Sequence, residues 1–128
     1  MEDLHLTATK NTPEVFFSIT AGTYRIMGNS IPENASELYA PVMAWLQKNL
    51  THVADGATFE FDLPYFNSSS LKALYLVLLE LKKEADQGKN LRLRWFAEEN
   101  DEFMTEAAET FTEMVGIELE LVIGKLQA

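Results

Sequence analysis

Three consecutive serines, Ser68-Ser69-Ser70, follow Asn67 and lead into an apolar run from Leu71 to Leu81. Just before them, Phe59, Phe61 and Leu63 alternate with Glu60 and Asp62, the period of a half-buried strand. The hydroxyls therefore stand where a strand hands over to a helix. Two kinds of chemistry suit a serine there. Its oxygen can cap the helix by accepting from a backbone N–H of the first turn. It can also carry a phosphate, which would face free N–H groups and the positive end of the helix dipole. By position, Ser69 and Ser70 are expected to serve the helix start, one as cap and one within the first turn. Ser68 stands furthest from the helix body.

No catalytic set assembles elsewhere. His5 lies near one end of the chain and His52 in a loop, and neither has the serine and carboxylate partners of a triad or a second metal ligand. Glu60/Asp62 and Glu118/Glu120 are spaced i, i+2, so each pair shares one strand face. Arg92 and Arg94, spaced the same way, neutralise them more simply than a metal would. There is no phosphate-binding loop and no G-x-G-x-x-G. Trp45, Tyr75 and Phe111 fall at helical spacing and read as core rather than a ligand box. The expectation is a protein that is not an enzyme and needs no cofactor or metal.

The elements that carry the serines follow from hydrophobic period. Val15, Phe17 and Ile19, then Tyr24 and Ile26, flank Ala21-Gly22 as a β-hairpin. Asn34 with Glu37 three residues on resembles a capping box, and Leu38, Tyr39, Val42, Trp45, Leu46 and Leu50 predict a helix over about 34–50. Pro41 inside it predicts a kink or a later start. A strand at 58–63 leads to a second helix at about 69–86, apolar around most of its circumference. A strand at 91–96 follows. Glu98-Glu99-Asn100-Asp101 opens a third helix whose buried face is expected to carry Phe103, Met104, Ala107, Ala108, Phe111 and Met114. A last strand occupies 117–123.

The order ββαβαβαβ predicts an α/β fold: one mixed sheet with parallel crossovers, an antiparallel opening hairpin and helices on one face. The outward charges place the arginine strand 91–96 between the two acidic strands. The chain is expected to be one domain over 1–128, with 1–12 as a flexible N-terminal tail.

Composition sets bounds on partners. The 128 residues are 47% hydrophobic and 23% charged, enough for one real core. Twenty acidic residues against 10 basic give a net charge of −10, which repels phosphate backbones and anionic membrane surfaces. No nucleic acid and no membrane partner is expected. The acidic start Met1-Glu2-Asp3-Leu4-His5 lacks the apolar core of a secretory signal, and the chain has no cysteine, so a cytoplasmic location is expected.

Gly28-Asn29-Ser30-Ile31-Pro32-Glu33-Asn34-Ala35-Ser36-Glu37-Leu38-Tyr39, then Tyr65-Phe66-Asn67-Ser68-Ser69-Ser70, then Leu93-Arg94-Trp95, resemble the SiaC family of bacterial regulatory phosphoproteins. The likeness runs from about Thr12 to Leu121. The family fold is similar to the STAS domains of anti-sigma factor antagonists. The resemblance implies phosphorylation of the hydroxyl after the asparagine, here Ser68, by a dedicated serine/threonine kinase, reversed by a metal-dependent serine/threonine phosphatase. It implies that the unphosphorylated form binds a diguanylate cyclase and stimulates cyclic-di-GMP synthesis, favouring aggregation and biofilm. Pro32, Glu33, Asn34, Tyr65, Asn67, Ser69 and Ser70 are then the expected partner-binding residues. Ser68 replaces the usual threonine and Ile31 the usual tyrosine. The competing expectation is a STAS-like module that binds a small ligand or acts as a scaffold, its serines only capping.

Overall fold

A computed structural model describes residues 2–127; Met1 and Ala128 lie outside the described residues. Six strands form one sheet in strictly sequential order. They are β1 (Leu4–Leu6), β2 (Glu14–Ser18), β3 (Thr23–Met27), β4 (Ala57–Asp62), β5 (Leu91–Ala97) and β6 (Leu119–Ile123). β1, β2 and β3 are antiparallel neighbours, and β3 through β6 are parallel. Helix α1 (Ala35–Asn49) joins β3 to β4, α2 (Ser68–Asp86) joins β4 to β5, and α3 (Glu102–Val115) joins β5 to β6. Three right-handed crossovers that each step one strand in the same direction leave all three helices on one face.

The alternation in the strands sets which face that is. Val15, Phe17, Tyr24, Ile26, Phe59, Phe61, Leu93 and Trp95 are buried beneath the helices. From α2, Leu74, Val77, Leu78 and Leu81 close the core between α1 and α3. Tyr24 stacks on Phe59 with ring centroids 4.6 Å apart. Trp95 donates its indole N–H to the carbonyl of Met104, 3.1 Å away, and so fixes the first turn of α3 on the sheet.

The other face carries the charges, and β5 does lie between β4 and β6. Arg94 reaches Glu60 across β4 at 3.3 Å, and Arg92 makes a two-pronged contact with Glu120 on β6 at 2.8 and 3.0 Å. The Arg92 guanidinium holds the Glu120 carboxyl below its usual range, and Glu120 in turn raises Arg92. Arg25 extends the ladder to Glu14 on β2 at 2.8 Å.

Four expectations are corrected. The segment expected as a flexible tail over 1–12 is docked where it is described, from Glu2 on: Leu4–Leu6 pairs with β2, and the indole of Trp45 donates to the carbonyl of Glu2 at 2.9 Å. Pro41 does not delay α1. The helix starts at Ala35, capped by Asn34, whose side chain accepts from the Glu37 N–H at 3.1 Å, and continues through the proline. Phe103 and Met114 are not on the buried face of α3; they are 60% and 54% exposed, and the face consists of Met104, Ala108, Phe111 and Val115. α3 also starts later than Glu98, because Asp101 accepts from the Met104 N–H and caps it.

Candidate functional site

The two motifs that the sequence keeps some 30 residues apart meet at the C-terminal end of β4. The chain leaves β3 through Gly28, whose N–H donates to the carbonyl of Asp62 at 2.8 Å. The backbone at Gly28 has φ +121°, and an added Cβ would lie 3.2 Å from the Pro13 backbone, so conformation and space both call for glycine. Ser30 then pairs with Phe66 as an isolated parallel bridge. Its N–H donates to the Tyr65 carbonyl at 2.8 Å, and its carbonyl accepts from the Asn67 N–H at 3.0 Å. Parallel pairing thus resumes beyond β3 and β4 as a single bridged pair, and the start of α1 is held beside the start of α2.

Asn67 locks this arrangement. Its Oδ1 accepts from the Ser70 N–H at 3.0 Å and from the Ser69 hydroxyl at 2.9 Å. Its Nδ2 donates to the Pro32 carbonyl at 3.1 Å. One side chain therefore caps α2 and ties it to the Pro32-Glu33-Asn34 turn. The expectation that Ser69 or Ser70 caps the helix is corrected: Asn67 is the cap and α2 begins at Ser68. Asparagine at this position satisfies the helix and the neighbouring turn together, since an amide both accepts and donates.

The three serines have different surroundings. Ser70 is fully buried. Its hydroxyl lies 2.9 Å from the Ser30 carbonyl and 2.8 Å from the Ser30 hydroxyl, which in turn meets the Tyr39 hydroxyl at 2.7 Å. Burial pushes the Tyr39 phenol up to about 12, and its bond to Ser30 works in the other direction. Ser70 is thus a structural residue, and the expectation that it contacts a partner directly is corrected. Ser69 is exposed with its hydroxyl turned back to Asn67. Ser68 is exposed at the first helical position, and among the described residues its hydroxyl takes part in no hydrogen bond.

At the same end of the sheet as Ser68, exposed apolar side chains gather that hydrophobic period alone did not reveal. Ile31, Tyr65, Leu71 and Phe103 are 39%, 69%, 44% and 60% exposed. Phe103 packs on Phe66 with centroids 5.5 Å apart, and Phe66 meets the buried Trp95 edge-on at 6.2 Å. Large exposed apolar side chains gathered at one end of a domain mark an interaction surface. Glu33 and Asn34 are exposed beside them and Pro32 is half-buried, so all three stand next to the serine turn. A cleft of about 700 Å³ opens next to Tyr65 and Phe103, at the C-terminal ends of the parallel strands.

Asp62, Glu98, Asp101 and Lys125 also line this cleft, and the two histidines lie elsewhere. His5 sits on β1 against the Phe16 ring, 3.8 Å from Glu14, and His52 lies in the short 3-10 turn after α1. Among the described residues no group of three His, Cys, Asp or Glu side chains is arranged to hold a metal ion. Among them, too, no helix is long and apolar enough to cross a membrane.

Comparison with known proteins agrees with this geometry. The profile of the SiaC family of regulatory phosphoproteins matches residues 6–123. The solved structure of SiaC of Pseudomonas aeruginosa superposes with a TM-score of 0.86 at 30% identity, covering 97% of this chain and all of that one. SiaC in the crystal structure of the Pseudomonas aeruginosa diguanylate cyclase SiaD in complex with its activator SiaC also gives 0.86 at 30% identity, covering 95% of this chain and 100% of that one. An uncharacterized protein of Pseudomonas aeruginosa strain UCBPP-PA14 is 36% identical over 114 residues, 88% of this chain and 90% of its own length. The matched span takes in both motifs and nearly every element of the sheet. The chain belongs to the SiaC family of regulatory phosphoproteins.

Proposed function

We propose that this protein is a switch in a bacterial partner-switching system. Its unphosphorylated form binds and activates a diguanylate cyclase in the cytoplasm. A serine/threonine kinase turns it off by phosphorylating Ser68, and a metal-dependent serine/threonine phosphatase restores it. The relative that is the activator of a diguanylate cyclase supports the choice of target.

The observation that carries the switch is the isolation of Ser68. It is the one serine of the three that is both exposed and free of hydrogen bonds among the described residues, and it stands at the end of the sheet that exposes Ile31, Tyr65, Leu71 and Phe103. A phosphate adds about −1.5 to −2 charges at neutral pH. On the free protein that charge faces solvent and the positive end of α2, so the fold tolerates it. Beneath a docked partner the same charge would be stripped of water among Ile31, Tyr65, Leu71 and Phe103, so binding is lost. Pro32, Glu33, Asn34, Tyr65, Asn67 and Ser69 would frame the contact, with Asn67 acting through the position it imposes on both turns.

Peptide mapping of the protein from its own host tests the site. A phosphate on the 68–70 run is expected at Ser68, and Ser68→Ala should abolish it. A phosphate that persists at Ser69 in that variant would contradict the assignment. The cleft at the strand ends favours a second reading, a small-ligand module. In that case phosphorylation would leave partner affinity unchanged.

A further inference from the structure

The two edges of the sheet are protected unequally. β1 is only three residues long, and short edge strands offer little to an incoming chain. β6 has five residues, Leu119-Glu120-Leu121-Val122-Ile123, with neither proline nor lysine among them, and β5 is its only neighbour among the described residues. Ala97 pairs with Ile123, and the Gly124 N–H donates to the Ala97 carbonyl at 2.8 Å. The even-numbered residues of β6 therefore turn their backbone groups toward β5, and the odd-numbered ones turn theirs outward. Leu119 uses its outward N–H on the Thr112 hydroxyl at 3.2 Å. The N–H and carbonyl groups of Leu121 and Ile123 face the open edge. Their side chains are 41% and 57% exposed, although both lie on the helix-covered side of the sheet.

Beside this edge runs a groove of about 380 Å³ between α3 and β6. Glu109, Glu113 and Glu118 line it, and no lysine or arginine does. α3 itself carries Glu102, Glu106, Glu109 and Glu113 without a basic residue. On the opposite face Glu120 already holds Arg92.

We propose that the open edge of β6 docks an extended basic segment of a partner protein, which adds a seventh strand through the backbone groups of Leu121 and Ile123. On the helix-covered side, lysines or arginines of the segment would lay their aliphatic stems over Leu121 and Ile123 and reach the glutamates of the groove, and the alternate apolar residues would lie beside Val122 on the other face. Main-chain bonds supply affinity in such strand addition, and the alternating side chains supply selectivity. The charge pattern decides between this occupant and a second copy of the chain. A two-fold pairing of β6 with itself would bring Glu109, Glu113 and Glu118 toward their own copies in a protein of net charge −10. This surface is separate from the serine turn, and the proposal does not depend on the switch.

Fluorescence anisotropy with a labelled peptide of alternating lysine and valine tests it, with a glutamate–valine peptide of the same length as control. The lysine peptide is expected to bind, to weaken as salt rises and to protect the Leu121 and Ile123 amides from hydrogen exchange. The glutamate peptide should not bind. Leu121→Pro removes one outward donor without touching the bonds to β5, and should weaken binding about tenfold. The double variant Glu109→Lys/Glu113→Lys should weaken it as well, and it decides the matter if the proline variant fails to melt cooperatively. No binding of the lysine peptide, equal binding of both peptides, or amide protection away from β6 would overturn the proposal. So would a wild-type dimer in sedimentation that either variant dissociates, because the edge would then belong to a second copy.

Discussion

A single residue separates Ser68 from Ser70, and the hydroxyls at these positions live in different media. Ser70 is sealed among Ser30, Tyr39 and the Asn67 turn, with every hydrogen bond inside the protein. Ser68 has solvent around it and no partner among the described residues. Helix geometry produces the difference, since positions two apart point to nearly opposite sides. A run of three identical residues thus supplies both an anchor and a free acceptor. The anchor keeps the two motifs together, so that a phosphate on the acceptor changes the surface and leaves the fold in place.

The anchor side should be the more sensitive to substitution. Ser70→Asp puts a carboxylate into a site with no exposure and no cation beside it, and should cost about 3–5 kcal/mol in chemical denaturation. A smaller effect would mean that the trio can open to water. Asn67→Ala removes a cap and also the bond to Pro32, so about 2 kcal/mol is expected. Asn34→Ala, which removes only the cap of α1, should cost about 1 kcal/mol. Equal losses would show that the bridge to Pro32 contributes nothing.

Tyr39→Phe sharpens the comparison through pH. It should cost about 1 kcal/mol at neutral pH, for one buried hydroxyl bond. The unfolded chain releases the phenolic proton at the ordinary 10.0, whereas the folded protein holds it until about 12. Between those values the folded state binds more protons, so wild-type stability falls as pH rises through the window. The phenylalanine variant has no such proton, and its alkaline decline should be shallower. The smallest effect belongs to Ser68→Ala, which should stay within about 0.5 kcal/mol of wild type.

Much of this architecture was legible because it rests on period and charge. Alternation in 58–63, 91–96 and 117–123 marks the parallel strands, and the signs of Glu60, Arg94 and Glu120 fix their order, since like charges on adjacent strands repel. β1 escaped because three residues are too few to show a period. The cap of α2 escaped because Asn67 and Ser69 are equally good caps by type, and only the neighbouring Pro32 carbonyl favours an amide. Helical spacing places Phe103 on the core face, yet it lies at the edge of the buried stripe, where Phe66 covers part of it. Ser30 and Tyr39 carried no separable signal. Serine after a glycine turn and tyrosine on an apolar helix face are ordinary in isolation, and their roles arise from a contact 40 residues away in sequence, between Ser30 and Ser70.

The most direct test of the switch is a titration of the host's diguanylate cyclase with three forms of this protein: unmodified, stoichiometrically phosphorylated at Ser68, and Ser68→Ala after the same kinase treatment. The unmodified and alanine forms are expected to bind alike and raise cyclase activity, while the phosphorylated form binds about tenfold more weakly or worse. Phosphorylated protein that melts like the unmodified form and binds the cyclase equally well would contradict it.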